Sequence, residues 1–265
     1  MKSKKSIFLI LLNTVSLAVM LFVNYASNTG VFSALSVGDI SHKYDTLFAP
    51  AGYAFAIWGV IFLLLIAFVI FQWTSLTNTS RQEYVQNTGV WFFISNLSNA
   101  FWVYCWLNEE IGWSVAVIVI LLSCLVILSY KLRLELDDKP ASVILFVWWP
   151  VVIYLGWIMV ATIACIAAWL VSIGWNGGLF TPQTWTIVMI IIASFIYIYL
   201  IKSRNLREAA LVGIWAFVAI AKRQWEANFN IALVAMVCAL TLFVAISIHG
   251  YVNRKYSIIN KLKEE

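Results

Sequence analysis

The central part of every long apolar run in this chain lacks aspartate, glutamate, lysine, arginine and histidine. That absence removes the groups on which proton relays, ion pumps and a retinal Schiff base depend, because a charge inside a bilayer is costly and is kept for function. Glu208 starts one run and His249 ends another, so both reach the interface, and the second histidine, His42, lies in a loop. No Walker loop, HExxH pair or nucleophile elbow occurs, which takes away the motifs of nucleotide hydrolysis, zinc proteolysis and α/β-hydrolase chemistry. The four cysteines, Cys105, Cys124, Cys165 and Cys238, each fall singly in an apolar run, where a thiol behaves as a small buried hydrophobe and not as half of a metal or redox pair.

What remains is 63% hydrophobic and 11% charged over 265 residues, too apolar for a soluble globular domain. A spanning helix needs about 20 apolar residues to cross about 30 Å of hydrocarbon. Runs at 7–26, 51–72, 88–107, 112–130, 143–172, 185–201, 208–221 and 229–249 meet or approach that length, which predicts eight spans. They are continuous and do not alternate every second residue, so an all-α helical bundle is expected and not an outer-membrane barrel. The seventh run is the shortest.

Charge sets the expected orientation. Lys2, Lys4 and Lys5 precede the first run, and with eight spans fourteen of the 17 basic residues, Arg254, Lys255, Lys261 and Lys263 of the tail included, fall on the same side. Only Lys43, Lys222 and Arg223 fall on the other, so the positive-inside rule puts both termini in the cytoplasm. The sequence pI near 9.0 then reflects loops facing anionic lipid, and no base-reading motif points to nucleic acid. The first run is long for a signal peptide, and VNYASNTG is a weak cleavage context, so it is read as retained.

Fourteen tryptophans are the most unusual feature present. Trp73, Trp91, Trp106, Trp113, Trp175, Trp185 and Trp225 lie near run ends and suit the interfacial aromatic belts. Trp58, Trp102, Trp157 and Trp215 lie deeper, where an indole N–H must find a protein or ligand acceptor. In VWFFISNLSNAFWVYCW, Ser95, Asn99, Trp102 and Trp106 share one helical stripe, flanked by Asn96 and Ser98. That stripe reads equally as helix-to-helix glue or as the polar spot of a ligand pocket. Trp157, Ala161, Ala164 and Ala168 recur on one face of the fifth run, which close packing or a cleft would both explain, and Pro150 is expected to kink that run. In FAPAGYAFAIWGVIF, Pro50 suits a first helical turn, Gly52, Ala56 and Gly59 form a stripe for a close neighbour, and Phe55, Trp58 and Phe62 form an adjacent stripe that can wall a cavity.

These three segments together resemble the TspO/MBR family, the tryptophan-rich sensory proteins related to the mitochondrial translocator protein. Pro50, Tyr53, Phe55 and Trp58 fall on the family's second-helix motif, Asn99 and Trp102 on its third, and Trp157 with the following alanines on its fifth. Three positions depart: Ala49 stands for the first of two prolines, Tyr53 for a tryptophan and Cys165 for an asparagine. The resemblance covers about residues 1–172 as a five-helix unit, and 173–265 adds about three helices and a basic cytoplasmic tail, as in larger bacterial members. It implies an integral protein of the bacterial cytoplasmic membrane that senses or carries a hydrophobic ligand, porphyrin- or sterol-like. The implied site is Tyr53, Trp58, Asn99, Trp102, Tyr154 and Trp157, with residues 27–50 as a lid.

The implied partners are the bilayer and that ligand; a porphyrin or haem-like molecule would be ligand and not resident cofactor. A transporter or channel for an uncharged or amphipathic solute is the alternative, though no inverted repeat is evident. An enzyme ranks last, since the spans hold no acid–base pair. Whether residues 173–265 cover the pocket or build a homodimer stays open. Val126, Tyr130 and Arg133, and again Val252, Tyr256 and Lys261, fit a loose sterol-contact pattern that arises often by chance.

Overall fold

Backbone amides cannot stay unpaired in an apolar run, and helix formation pairs them within the segment. A computed structural model describes residues 4–33 and 35–253, and each of the eight apolar runs forms a helix in it. In chain order the helices are α1 (Lys4–Ala26), α2 (Val37–Lys43), α3 (Ile57–Thr74), α4 (Gln82–Thr88), α5 (Trp91–Leu107), α6 (Ile111–Lys131), α7 (Ala141–Val143), α8 (Trp149–Ser172), α9 (Pro182–Arg204), α10 (Arg207–Gln224) and α11 (Phe229–Val252). Six stretches are long and apolar enough to cross a membrane: α1, Gly52–Thr74, α6, Ala141–Ser172, α9 and α11. Of the other two long helices, α5 has 17 residues, and α10 carries Arg207 and Glu208 at its start and Lys222 and Arg223 at its end. The tail cations Arg254, Lys255, Lys261 and Lys263, the N-terminal Lys2, and the pattern residues Tyr256 and Lys261 lie outside the described residues.

Local chemistry places the helix ends. Thr181 caps α9 by accepting from the Thr184 amide, and Pro182 fills the first turn, where its missing N–H costs nothing. Asn205, at φ 62°, closes the same helix in the left-handed conformation that asparagine tolerates. Ahead of Pro150 the chain winds as a π-helical turn over Ile144–Trp148, so the expected disturbance is a change of winding between α7 and α8. Pro50 does not open a helix: it precedes a 3₁₀ turn over Gly52–Ala56 that leads into α3. The small stripe is also corrected. Gly52, Ala56 and Gly59 are exposed, and a Cβ added to either glycine would meet nothing within 4 Å.

α1, α5, α6, α8 and α3 each pack against the next and close a five-helix ring. The remaining three helices attach through α10, which packs against α8, α9 and α11. Its small residues permit close approach: a Cβ on Gly156 of α8 would sit 2.8 Å from the Ala209 carbonyl oxygen, and one on Gly213 would sit 2.5 Å from the Tyr197 ring. The Tyr197 hydroxyl donates to the Gly156 carbonyl at 2.8 Å and ties α9 to the same crossing.

Candidate functional site

The ring encloses two adjoining cavities of about 300 and 50 Å³ near the end of α5. Both are lined by Val37, Ser41, Pro50, Phe55, Trp58 and Trp102. The larger extends to Asn24, Phe62, His42 and Arg223; the smaller runs inward along Trp157, Val160, Ala161, Ala164, Cys165 and Ala168. The alanine face of α8 therefore opens a cleft instead of receiving a helix. Phe55, Trp58 and Phe62 wall the chamber as their spacing on the sequence suggests.

Aromatic packing fixes that wall. Trp58 stacks on Phe62 at 5.4 Å and meets Tyr154 and Trp157 edge-on at 5.9 and 6.3 Å, while Phe55 meets Trp157 at 6.0 Å. Such edge-to-face contacts satisfy the ring quadrupoles and hold the rings in set orientations. Trp102 stacks on Trp106 at 5.5 Å. The indole N–H groups of Trp102 and Trp157 are buried and make no hydrogen bond of normal geometry, although Trp102 lies beside the Cys165 thiol, itself 3.2 Å from the Ser114 hydroxyl. Trp148, in the turn before α8, also holds a buried indole N–H without an acceptor, and Trp149 lies beside the Glu208 carboxyl, but neither lines this chamber.

Behind the wall, side-chain hydrogen bonds join the helices. Asn24 donates to the Asn99 side-chain oxygen at 2.7 Å, and Asn99 donates to the Tyr154 hydroxyl oxygen at 2.9 Å, which links α1, α5 and α8. Asn13 donates to Gln72 at 2.9 Å and Asn96 to Ser16 at 3.1 Å, further ties of α1 to the ring. Of the six residues expected at the site, Trp58, Trp102 and Trp157 line the chamber, and Asn99 and Tyr154 brace it from one layer behind. Tyr53 stands outside it, 43% exposed and edge-on to Trp215 at 5.2 Å. Trp215 is not a chamber residue either: its N–H donates to the Ala54 carbonyl at 3.0 Å.

The lid has two parts. α2 starts at a capping box, in which Ser36 accepts from the Asp39 amide and the Asp39 carboxylate accepts from the Ser36 amide. The Ser36 amide and hydroxyl together hold the Asp39 carboxyl below its ordinary range. The Trp106 indole donates to the Val37 carbonyl at 3.0 Å, so a tryptophan placed in the outer belt by sequence is instead buried and secures the lid. Lys43 and the Tyr44 hydroxyl both donate to Glu109; this lowers the Glu109 carboxyl and raises Lys43 and Tyr44.

Residues 45–54 are fastened by α10. Arg223 pairs with Asp45 and donates to the Ala49 carbonyl at 3.2 Å; Gln224 donates to the Leu47 carbonyl at 3.0 Å; the Ala51 amide donates to the Ala219 carbonyl at 3.1 Å. Sequence reasoning missed Asn24, Arg223 and Gln224. Arg223 had a signal, since it ends an apolar run on the side where cations are otherwise scarce.

A family model described as TSPO-like protein matches residues 10–248, which takes in both the ring and the three helices after it. The chain belongs to the TSPO-like family. No curated protein and no solved structure matches it. The TSPO-like match and the six long apolar helices make it an integral membrane protein. The five-helix ring carries the chamber, and α10 adds the contacts to residues 45–54.

Proposed function

We propose that this TSPO-like protein binds a hydrophobic, porphyrin- or sterol-like ligand in the chamber and acts as a sensor or carrier in the bacterial cytoplasmic membrane. The observation that carries the reading is the lining itself: Phe55, Trp58 and Trp102 stand across from the Trp157 and alanine face of α8, with polar groups supplied by the lid and by Asn24, Ser27 and Asn28 at the end of α1. A volume of about 300 Å³ lies at the lower end of the range for small-molecule sites, and an apolar wall with a few placed polar groups is their usual composition. His42 and Arg223, the latter already paired with Asp45, bring N–H donors to the mouth that suit a ligand with a polar edge, as a porphyrin's carboxylates would provide.

All eight long helices span in this reading. α10 has 18 residues, about 27 Å at 1.5 Å per residue, and its charges sit at its two ends, where they reach the interface. Both termini are then cytoplasmic, and the chamber mouth with Arg223 and Lys43 faces the opposite side.

Quenching of intrinsic fluorescence by protoporphyrin in detergent tests the proposal. A saturable decrease that is lost in Trp102→Leu/Trp157→Leu is expected. Quenching that is unsaturable, or equal in wild type and variant, removes the reading.

A further inference from the structure

We propose that the outer face of the bundle carries a second site, a groove between α6 and α9 floored by α8, that holds one anionic phospholipid with its phosphate on Arg204. The groove has about 290 Å³ of space and is lined mostly by apolar side chains, among them Leu122 and Val126 of α6, Met159 of α8 and Ile196 of α9. It exists because α10 and α11 draw α9 to one side of α8, while α6 packs on the other. Along α9 it runs from Ala193 to Arg204, about 16 Å at 1.5 Å per residue. That is about half of a 30 Å hydrocarbon layer, so the groove has the depth of one leaflet.

The charge at its end chooses the occupant. Arg204 donates to the Ser129 carbonyl at 3.0 Å and lies 4.3 Å from the centroid of the Tyr130 ring, two neutral partners. Its Nε is buried without an acceptor, and none of the three ion pairs among the described residues includes it. A guanidinium that keeps its full charge at the mouth of an apolar groove is matched by an acyl chain that ends in a phosphate. The sterol pattern on α6 does not fit the same place: Val126 and Tyr130 line the groove, but Arg133 is turned away and held by both carboxylate oxygens of Asp137. A neutral sterol would leave Arg204 as it stands.

The test uses the full chain, delipidated in a neutral maltoside detergent and titrated with dioleoyl phosphatidylglycerol, dioleoyl phosphatidylcholine, cholesterol or glycerol phosphate under native mass spectrometry. One phosphatidylglycerol per chain should be retained, at least about fivefold tighter than phosphatidylcholine, with no retention of glycerol phosphate, which lacks the chain. Arg204→Gln should remove that preference. Ile196→Trp changes a 42% exposed side chain, leaves Arg204 in place, and should abolish retention by filling the groove. Equal retention of phosphatidylcholine or cholesterol by wild type, or undiminished phosphatidylglycerol retention by Ile196→Trp, overturns the proposal. Protoporphyrin quenching should be unchanged in Ile196→Trp, which separates this site from the chamber.

Discussion

Two adjoining layers of the same chamber differ in their hydrogen bonding. In the layer behind the wall, Asn99 donates to the Tyr154 hydroxyl oxygen and accepts from Asn24 at the edge of the larger cavity, so hydrogen bonds pass from one helix to the next. In the wall, the buried indole N–H of Trp157 has no acceptor, and that of Trp102 has only the weakly accepting Cys165 thiol beside it. A buried unpartnered donor costs about 1–3 kcal/mol, so the first layer is built to hold the ring together and the second to meet something else. An amide inside a membrane helix and an indole beside it thus divide the work: one serves the scaffold, the other the ligand.

The largest expected break of this division is Asn99→Leu. It removes one of the two acceptors of the Asn24 amide, which keeps the Met20 carbonyl, and the donor to the Tyr154 hydroxyl oxygen, and should lower stability by about 2 kcal/mol. At about 2–4 °C per kcal/mol, a thermal melt in detergent should shift down by roughly 4–8 °C, while the folded protein still quenches with protoporphyrin. A smaller shift than Trp102→Phe/Trp157→Phe produces would reverse the assignment.

That double variant is the next test. Phenylalanine keeps most of the ring and removes a donor that has no acceptor, so stability should hold within about 1 kcal/mol. Protoporphyrin affinity should fall about tenfold, at about 0.5–1.5 kcal/mol for each hydrogen bond lost. An unchanged dissociation constant would assign these indoles to packing alone.

The lid sharpens the same contrast, because α10 is outside the ring yet grips it. Arg223→Gln removes the Asp45 pair and the Ala49 contact, and should raise the ligand's dissociation rate several-fold in stopped-flow quenching with little change in melting temperature. The smallest effect concerns the exposed latch on α2. Glu109 is lowered by Lys43 and Tyr44, so its contribution is present above the ordinary glutamate range and is lost as pH falls through its lowered value. Lys43 and Tyr44 are raised by Glu109, so theirs is complete below their ordinary values and is lost as pH rises through the raised ones. Hydrogen exchange of Val37–Lys43 should be flat through neutral pH, once corrected for intrinsic rates, and faster at either extreme; Glu109→Gln should flatten the acid limb.

Much of the fold is legible in the sequence because membrane helices are written as continuous apolar runs. All eight appear as helices, and three of the six expected site residues line the chamber. The errors have local causes. Tyr53 enters the expected site through the family resemblance and Trp106 the outer belt through its place near a run end, but a 3₁₀ turn at Gly52–Ala56 rotates Tyr53 outward, and the fold of α2 over α5 buries Trp106. Gly52, Ala56 and Gly59 show a packing stripe with nothing packed on it, which spacing alone does not reveal. The clamp of α10 on residues 45–54 joins positions more than 160 apart and leaves no periodic trace. Only the isolated cations Lys222 and Arg223 hinted at it.

The most direct measurement is of the indoles themselves. Protein labelled with ¹⁵N at the indole nitrogens, with Trp102 and Trp157 assigned through their phenylalanine variants, would be followed as protoporphyrin is added to saturation. The account predicts that the Trp102 and Trp157 ¹⁵N signals move from unbonded to hydrogen-bonded positions, while the Trp215 signal, already bonded to the Ala54 carbonyl, stays in place. Saturable binding with both chamber signals unmoved would contradict it.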